Sequence, residues 1–218
     1  MEQLRVVEKS TRDLSWYSKD LLQYCYADFR NSSGRVDMAR LFSYCIPVDD
    51  GAAPNPFWGL CTLVICKPRI RRAAAVGDWV VGTGSRRSPI GDLSGQVVYA
   101  MRITKKLTME EYDVFARDKC PGKIPSWFDR DVRRRLGDAI YDFSCDPPRI
   151  RRSVHGEQNR ERDISGEYAL ISDHFYYFGD KPRSLPKRLR SIARQHQMVG
   201  KAAAIAEDFH WRVVPSSE

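Results

Sequence analysis

Residues 60–66, Leu60-Cys61-Thr62-Leu63-Val64-Ile65-Cys66, form a continuous apolar run that stops at Lys67-Pro68. A run of this kind is typical of a β-strand that is buried on both faces. Proline has no backbone N–H to give to a sheet, so we expect the strand to end there. The stretch therefore predicts a well-covered sheet at the centre of the fold.

More strands are predicted on both sides of this run, at Leu41–Ile46, Trp79–Val81, Gln96–Ile103, Tyr168–Ser172 and Phe175–Phe178. Gly82-Thr83-Gly84-Ser85 is expected to break the strand that precedes it. Helices are predicted after Thr108, which forms a capping-box pattern with Glu111, and after Ser184, with Pro186 in the first turn. Because helices do not alternate with strands, we expect an α+β domain. It would hold a curved, mostly antiparallel sheet, or a small barrel, flanked by helices.

The chain divides by pattern into residues 1–36, predicted as an N-terminal helical extension, and residues 37–218, predicted as the α+β domain. Apolar residues recur at helical spacing up to Phe29, and Asn31-Ser32-Ser33-Gly34 is typical of a helix end and linker. The extension is a candidate for homo-oligomer formation. No apolar run approaches the ~20 residues of a membrane span, and Met1–Asp20 lacks the apolar core of a secretory signal. We therefore expect a cytoplasmic protein with no membrane partner.

Positive charge is unevenly distributed along the 218 residues, whose formal net charge is +8. Residues 67–87 hold six basic side chains and one acid, and residues 181–201 hold seven basic side chains and no acid. Segregated positive charge attracts polyanions, which favours a surface that faces phosphate. Ordinary solvated faces explain the same pattern, because lysine and arginine are commonly exposed.

Neither a metal site nor a cofactor site is predicted. Six cysteines in 218 residues are too few for a secreted disulfide scaffold. The odd separation of Cys61 and Cys66 places them on opposite faces of a strand, and Cys120 and Cys145 have no partner at zinc-ligand spacing. We expect buried or inert thiols.

Gly82–Ser85 could form an anion-binding turn, but the glycine patterns of dinucleotide folds and P-loops are missing.

Several stretches together resemble a known family, the nucleotide-modification-associated domains of bacteria and phages, second type. They are Ala53–Phe57, Gly59–Leu63, Cys66–Arg71, Gly77–Ser85, Gly137–Tyr141 and Phe175–Gly179, and the resemblance covers residues 41–180. It implies an association with modified nucleotides or hypermodified DNA in a phage or anti-phage setting. The turn at Gly77-Asp78 is also similar to one in PUA, ASCH and EVE domains, which are small β-barrels that bind modified bases or RNA.

The first functional hypothesis is a nucleotide- or nucleic-acid-binding domain that recognises a modified base, with modified DNA as the favoured partner. Its pocket would form where the loop Pro54–Gly59, the segment Lys67–Arg71 and the turn Thr83–Ser85 converge. Aromatic rings stack on bases, and cationic side chains pair with phosphate. The residues expected to bind are Asn55 at the base edge, Lys67, Arg69 and Arg71 at phosphate, Thr83 and Ser85 as polar donors, and Trp58 or Tyr177 as the stacking ring.

The second hypothesis is an enzyme that modifies a nucleotide or a DNA base. Its acid–base or positioning groups would be His155, His174, Asp138, Tyr141 and Asp163. Histidine suits this chemistry because its ordinary pKa lies close to neutrality. Sequence spacing alone assigns no triad of nucleophile, base and orienting group. Convergence of several of these side chains in one concave site would favour the enzyme, and their scatter would favour the binding domain.

Overall fold

The computed structural model describes residues 39–193 and 200–202 of the chain. The predicted extension at residues 1–36, and the oligomer contact assigned to it, lie outside the described residues. The strands are β1 (Leu41–Ile46), β2 (Cys61–Leu63), β3 (Trp79–Gly84), β4 (Gln96–Arg102), β5 (Lys105–Thr108), β6 (Tyr141–Asp142), β7 (Arg149–Ile150), β8 (Tyr168–Ser172), β9 (His174–Tyr177), β10 (Arg183–Ser184) and β11 (Gly200–Ala202). The helices are α1 (Pro68–Ala73), α2 (Met109–Lys119), α3 (Val132–Arg135) and α4 (Arg160–Ile164), with 3-10 turns at Pro121–Lys123, Glu157–Asn159 and Lys187–Ile192.

The strands form a mixed main sheet and two smaller antiparallel sheets. The main sheet has the order β10-β4-β3-β1-β11, and β9 also pairs with β4. Its one parallel pairing among the described strands joins β1 to β3. The second sheet has the order β2-β8-β5, and β6 pairs with β7. The predicted α+β class is confirmed, but the described strands do not close into a barrel, so the small-barrel alternative is wrong for this part of the chain.

Three apolar clusters hold these layers together. The first lies between the main sheet and the second sheet and includes Tyr44 and Leu170. The second packs α2 against the other face of the second sheet, around Tyr112. The third covers the opposite face of the main sheet, where Leu189 of the last 3-10 turn packs near Val81. Because β1 has neighbours on both faces, all six of its residues are buried.

Locally encoded elements lie where the sequence predicted them. Strand β1 spans the predicted residues. The Thr108 hydroxyl accepts a hydrogen bond from the Glu111 amide, and the Glu111 carboxylate accepts one from the Thr108 amide. This reciprocal capping box confirms the predicted start of α2. The apolar run 60–66 is only partly strand, because the chain leaves the second sheet after Leu63 while Val64 and Ile65 remain buried.

Two predicted elements are wrong. Gly82-Thr83-Gly84 continues β3 instead of breaking it. A Cβ at Gly82 would overlap Ile46 and Tyr99, so this glycine is needed for close packing and not for a turn. The helix predicted from Ser184 is replaced by β10 and a 3-10 turn, although Leu185, Leu189 and Ile192 do share the buried face. Gly200, predicted as a helix end, begins β11.

Candidate active site

A strained turn connects the second sheet to α1. Cys66 and Lys67 both have positive φ angles, 58° and 43°. This backbone region costs a non-glycine residue ~1–2 kcal/mol, and such strain persists only where the surrounding structure enforces it. The Cys66 amide donates to Asp163 Oδ1 at 2.9 Å, and the Arg71 Nε donates to the Cys66 carbonyl at 2.8 Å. The backbone of Cys66 is therefore fixed on both sides.

The turn presents the Cys66 thiol to a chain of titratable groups. The Cys66 Sγ lies 3.6 Å from His155 Nε2, and His155 Nδ1 lies 2.5 Å from Asp163 Oδ2. The Tyr141 hydroxyl donates to the same Asp163 oxygen at 3.2 Å. Asp163 is fully buried, whereas His155 retains 15% of its side-chain exposure. A nucleophile, a base and an orienting carboxylate in this order are the arrangement that activates thiols in enzymes.

The electrostatics of this chain favour an imidazolium. Burial of His155 alone lowers its pKa. The hydrogen bonds to Asp163 and Cys66 and their charges outweigh burial, and the pKa of His155 rises to about 9. Burial also raises the pKa of Asp163, but its hydrogen bonds with His155 and the Cys66 amide leave that pKa below the ordinary value. At neutral pH an ion pair therefore lies against the Cys66 sulfur.

Cys66 lines a basic cleft of about 270 Å³. Its lining includes Lys67, Arg69 and Arg162, all cationic, together with Tyr44. The Lys67 ammonium lies 4.5 Å from the centre of the Tyr44 ring, and burial lowers the pKa of Lys67. The Arg162 Nη2 lies 3.9 Å from the Cys66 Sγ. Two of the predicted phosphate-binding residues, Lys67 and Arg69, therefore line the same cleft as Cys66.

Cys66, His155 and Asp163 are also residue types that bind zinc, and their ligand atoms lie within 4.8 Å of one another. The geometry does not fit a shared ion. His155 Nδ1 and Asp163 Oδ2 are 2.5 Å apart, which is a hydrogen-bond distance. Two ligands at ~2.0–2.1 Å from a tetrahedral ion would be farther from each other. The second Asp163 oxygen already accepts from the Cys66 amide. The arrangement fits proton transfer better than metal binding.

The predicted base-binding and hydroxyl residues are mostly interior. Asn55 is fully buried, and its side-chain amide donates to the carbonyls of Gly51 and Leu136. Thr83 is fully buried and donates to the Tyr44 carbonyl at 3.2 Å. These positions correct the roles that we expected, because a ligand cannot reach either side chain in this fold.

The remaining predicted binding residues lie in different places. The Ser85 hydroxyl accepts from the Arg87 amide outside the basic cleft, and the Tyr177 hydroxyl donates to Asp49 at 2.8 Å. Trp58 is 37% exposed, but it does not line this cleft. The three-way convergence predicted for the Pro54–Gly59, Lys67–Arg71 and Thr83–Ser85 segments is thus not found.

Arg71 is a structural residue and not a phosphate ligand. Its side chain is fully buried, and its guanidinium donates to the carbonyls of Cys66, Asp163 and Tyr168. Burial is the main cause that lowers the pKa of Arg71, to about 10. An arginine whose donors are satisfied in this way holds the turn and the Asp163 backbone together.

The predicted catalytic residues separate into two groups. His155, Asp163 and Tyr141 converge, as the enzyme hypothesis required. Asp138 belongs to a separate buried network, in which it accepts from Thr62 at 2.5 Å and Tyr112 at 2.6 Å. His174 lies on β9, where its ring packs edge-on against Trp79 and Tyr176, and burial lowers its pKa. Asp138 and His174 therefore do not contribute to the site.

Sequence reasoning missed Cys66, which it treated as an inert thiol. Its partner His155 is 89 residues away, a separation that no local spacing pattern reveals. The available signal was the position of Cys66 at the end of an apolar run, directly before Lys67-Pro68. A strained strand-to-helix turn is where several enzyme families place a nucleophile.

The fold and the site define an α+β protein with a thiol–imidazole–carboxylate chain beside a basic cleft. None of the helices among the described residues has the length and apolar character needed to cross a membrane. Residues 38–211 match the family model described as nucleotide modification associated domain 2, and the chain belongs to that family. The resemblance noted in the sequence is thereby confirmed, and membership implies involvement in nucleotide modification. No curated protein and no solved structure matches the chain.

Proposed function

We propose that the protein is a cysteine-dependent enzyme that modifies a nucleotide, either free or within DNA. One observation carries the proposal, namely the Cys66–His155–Asp163 chain, in which Cys66 lines a cleft together with cationic side chains. Membership of a nucleotide-modification family supports a nucleotide as the substrate class, and the geometry supports Cys66 as the reacting group. Perturbed titratable groups in a cleft are more common at catalytic sites than elsewhere.

In the proposed reaction the His155 imidazolium holds the proton of the thiol, and the Cys66 sulfur attacks an electrophilic carbon of the nucleotide. The sulfur electron pair forms the S–C bond, and the bond from that carbon to an amino or other heteroatom substituent of the base breaks, its electrons leaving on the substituent. His155 delivers its proton to the departing substituent. A water molecule then gives a proton to the neutral His155 and forms a C–O bond to the same carbon, and the S–C bond breaks with its electrons returning to sulfur, so that the thiolate and the imidazolium are restored. Asp163 and Tyr141 keep the His155 ring in position throughout.

The cations of the cleft would hold the phosphate of the substrate. Arg69 and Arg162 are largely exposed, and the Lys67 ammonium sits above Tyr44. Charge-assisted hydrogen bonds to phosphate are about twice as strong as neutral ones. These side chains place an anionic group next to the sulfur, which is the positioning that a nucleophilic step needs.

A binding domain that recognises a modified base, in a phage or anti-phage setting, is the second candidate. The placement of Lys67 and Arg69 in one cleft supports this candidate as well as the first, because phosphate binding is needed under either hypothesis. The two candidates differ in what they require of Cys66. A binding domain needs no reactive thiol, whereas the enzyme loses all turnover without it.

Site-resolved alkylation distinguishes these candidates. Iodoacetamide is applied at pH 7, and mass spectrometry measures the rate at each cysteine. Cys145 is exposed and serves as an internal reference thiol. We expect Cys66 to react at least about tenfold faster than Cys145, because an adjacent imidazolium stabilises negative charge on its sulfur. His155→Gln should slow Cys66 selectively and leave Cys145 unchanged. Equal rates at both cysteines, unaffected by this substitution, would refute the proposal.

A second measurement addresses the substrate. The full-length protein is incubated with deoxynucleoside monophosphates that carry modified or unmodified bases, and the Cys66 peptide is then examined by mass spectrometry. The enzyme proposal predicts a nucleotide mass increment on this peptide that Cys66→Ser abolishes. Binding of the same nucleotides without any increment, together with ordinary alkylation rates, would support the binding domain instead.

A further inference from the structure

A second surface of the molecule combines exposed aromatic rings with arginines. The aromatic–arginine surface consists of Trp58, Trp127, Phe128, Arg133, Arg134 and Arg152. Phe128 is 83% exposed, and Trp127 and Trp58 are 36% and 37% exposed. Large aromatic side chains are seldom left this open on a soluble protein unless they serve a contact.

The arginines lie against the rings. The Arg152 guanidinium is 4.9 Å from the centre of the Phe128 ring and 5.5 Å from that of Trp127. The guanidinium groups of Arg133 and Arg134 lie 5.4 and 5.8 Å from the Trp58 ring. These distances are within the range of cation–π contacts.

One loop organises most of the surface. The Ser126 amide donates to the Arg134 carbonyl at 2.8 Å. This hydrogen bond attaches the segment that carries Trp127 and Phe128 to α3. A Cβ at Gly122 would lie 2.5 Å from the Trp58 ring, so this glycine lets the ring lie close to the backbone. The side chains are therefore presented on a folded support.

The surface has an excess of positive charge. Segment 126–135 holds four arginines and two aspartates, and Asp131 pairs with Arg133 at 2.7 Å while Asp129 lies 3.9 Å from Arg134. Across the described chain, no carboxylate lies within ion-pair distance of Arg152. Flat rings beside arginines, of which Arg152 has no carboxylate partner in the described part of the chain, match the bases and phosphates of a nucleic acid strand.

One loop carries residues of both the aromatic–arginine surface and the thiol site. Residues 150–158 line a depression of about 480 Å³, and this segment contains both Arg152 and His155. Two residues lie between these positions, so their Cα atoms, three steps apart along the chain, are at most ~11 Å from each other. The basic cleft at Cys66, at about 270 Å³, is smaller than the ~300–1,000 Å³ typical of pockets that enclose a whole ligand.

We infer that the aromatic–arginine surface binds single-stranded nucleic acid, and that the substrate of the thiol site is a nucleotide within such a strand. Bases stack on Phe128, Trp127 and Trp58, while the arginines contact the phosphates between them. Duplex nucleic acid is excluded because its base faces are already stacked on one another. The substrate assignment rests on the proposed function, whereas the binding itself does not.

Binding is measured by fluorescence anisotropy with a labelled oligothymidylate of about twelve nucleotides, a length within the range of single-strand sites. The full-length protein carries Cys66→Ser, so that no chemistry occurs. We expect the strand to bind at least about tenfold more tightly than a duplex of equal length. Phe128→Ala should weaken strand binding about fivefold or more, as expected for a lost base stack, without changing the salt dependence.

Arg152→Ala gives a different result from Phe128→Ala. It should lower the slope of log affinity against log salt concentration by about 0.7, the value for one phosphate contact in a single strand. Arg87→Ala and Ile90→Ala are matched controls, because both side chains are exposed outside this surface. Both controls should bind like the parent, and thermal unfolding should confirm that all variants fold.

The outcomes separate the two proposals. If Phe128→Ala and Arg152→Ala bind the strand like the controls, or if the parent binds no strand, this inference is overturned and a protein-docking role is left for the surface. Ordinary alkylation of Cys66 together with impaired binding by Phe128→Ala would overturn the enzyme proposal alone and uphold the surface as a binding site.

Discussion

The ion pair between His155 and Asp163 makes a quantitative prediction. Interactions with Asp163 and Cys66 raise the pKa of His155 to about 9, against an ordinary value of ~6.5. The difference between these values, converted at ~1.36 kcal/mol for each pKa unit, is about 3 kcal/mol in favour of the imidazolium. Asp163→Asn keeps the shape of the side chain and an acceptor for the Cys66 amide, but removes the charge. We expect it to lower the pKa of His155 by at least about one pKa unit.

Carbon-13 NMR of the histidine rings measures this directly, because the chain has only four histidines. His174 provides an internal comparison, since burial lowers its pKa and Asp163→Asn should leave it unchanged. His155→Gln identifies the resonance. A wild-type His155 that titrates near its ordinary value would refute the described site. So would a pKa that does not move in Asp163→Asn.

The same ion pair sets the sign of a stability change with pH. A raised pKa in the folded state contributes stability that is complete below the unfolded value of ~6.5 and disappears as the pH rises through about 9. Urea unfolding should therefore show the wild type losing up to about 3 kcal/mol over this window relative to His155→Gln. The lowered pKa of Asp163 affects stability at acidic pH. Its contribution to the free energy of unfolding is lost only as the pH falls below ~3.9.

Three further variants test the cleft and the core. Lys67→Ala combined with Arg69→Ala should abolish nucleotide binding, and any residual binding should depend less on salt, as measured by titration at several ionic strengths. Lys123→Met should destabilise the fold by about 3–5 kcal/mol in urea unfolding, because Lys123 is fully buried, its ammonium lies within hydrogen-bond distance of four oxygens, and its charge lowers the pKa of Asp138. Gly82→Ala should cost about 1–3 kcal/mol by overpacking, and a thermal unfolding midpoint equal to that of the wild type would contradict the close packing of β3.

The features that the sequence predicted well are those that depend on neighbouring residues. Strand β1 and the capping box at Thr108 follow from local pattern and local hydrogen bonds. The turn predicted at Gly82–Ser85 was wrong because glycine serves two different structural purposes. It permits positive φ angles in turns, and it also admits a close neighbour within a strand. Only the tertiary position of Tyr99 decides between these uses.

The candidate site also depends on tertiary contacts that the sequence does not reveal. Sequence reasoning named His155, Asp163 and Tyr141 as candidate catalytic residues, but it named them together with Asp138 and His174, which lie elsewhere in the fold. Their convergence with Cys66 arises because the loop that carries His155 folds over the end of the second sheet. That contact spans 89 residues and has no local signature. The role predicted for Asn55 at a base edge is contradicted for a related reason. Its side-chain amide donates to the carbonyl of Leu136, 81 residues away, in the interior of the protein.

Arg71 explains why the strained turn at Cys66 persists. Its guanidinium donates to the carbonyl of Cys66 and also to that of Asp163, so one planar group ties Cys66 to the carboxylate residue that holds His155. A Cβ at Gly166 would overlap this guanidinium, which shows that the chain leaves room for it. Lysine could not replace it, because an ammonium cannot reach several carbonyls with a rigid fork. The arginine that the sequence assigned to phosphate therefore holds the backbone of the site in place, while Lys67 and Arg69, on either side of Pro68, line the cleft.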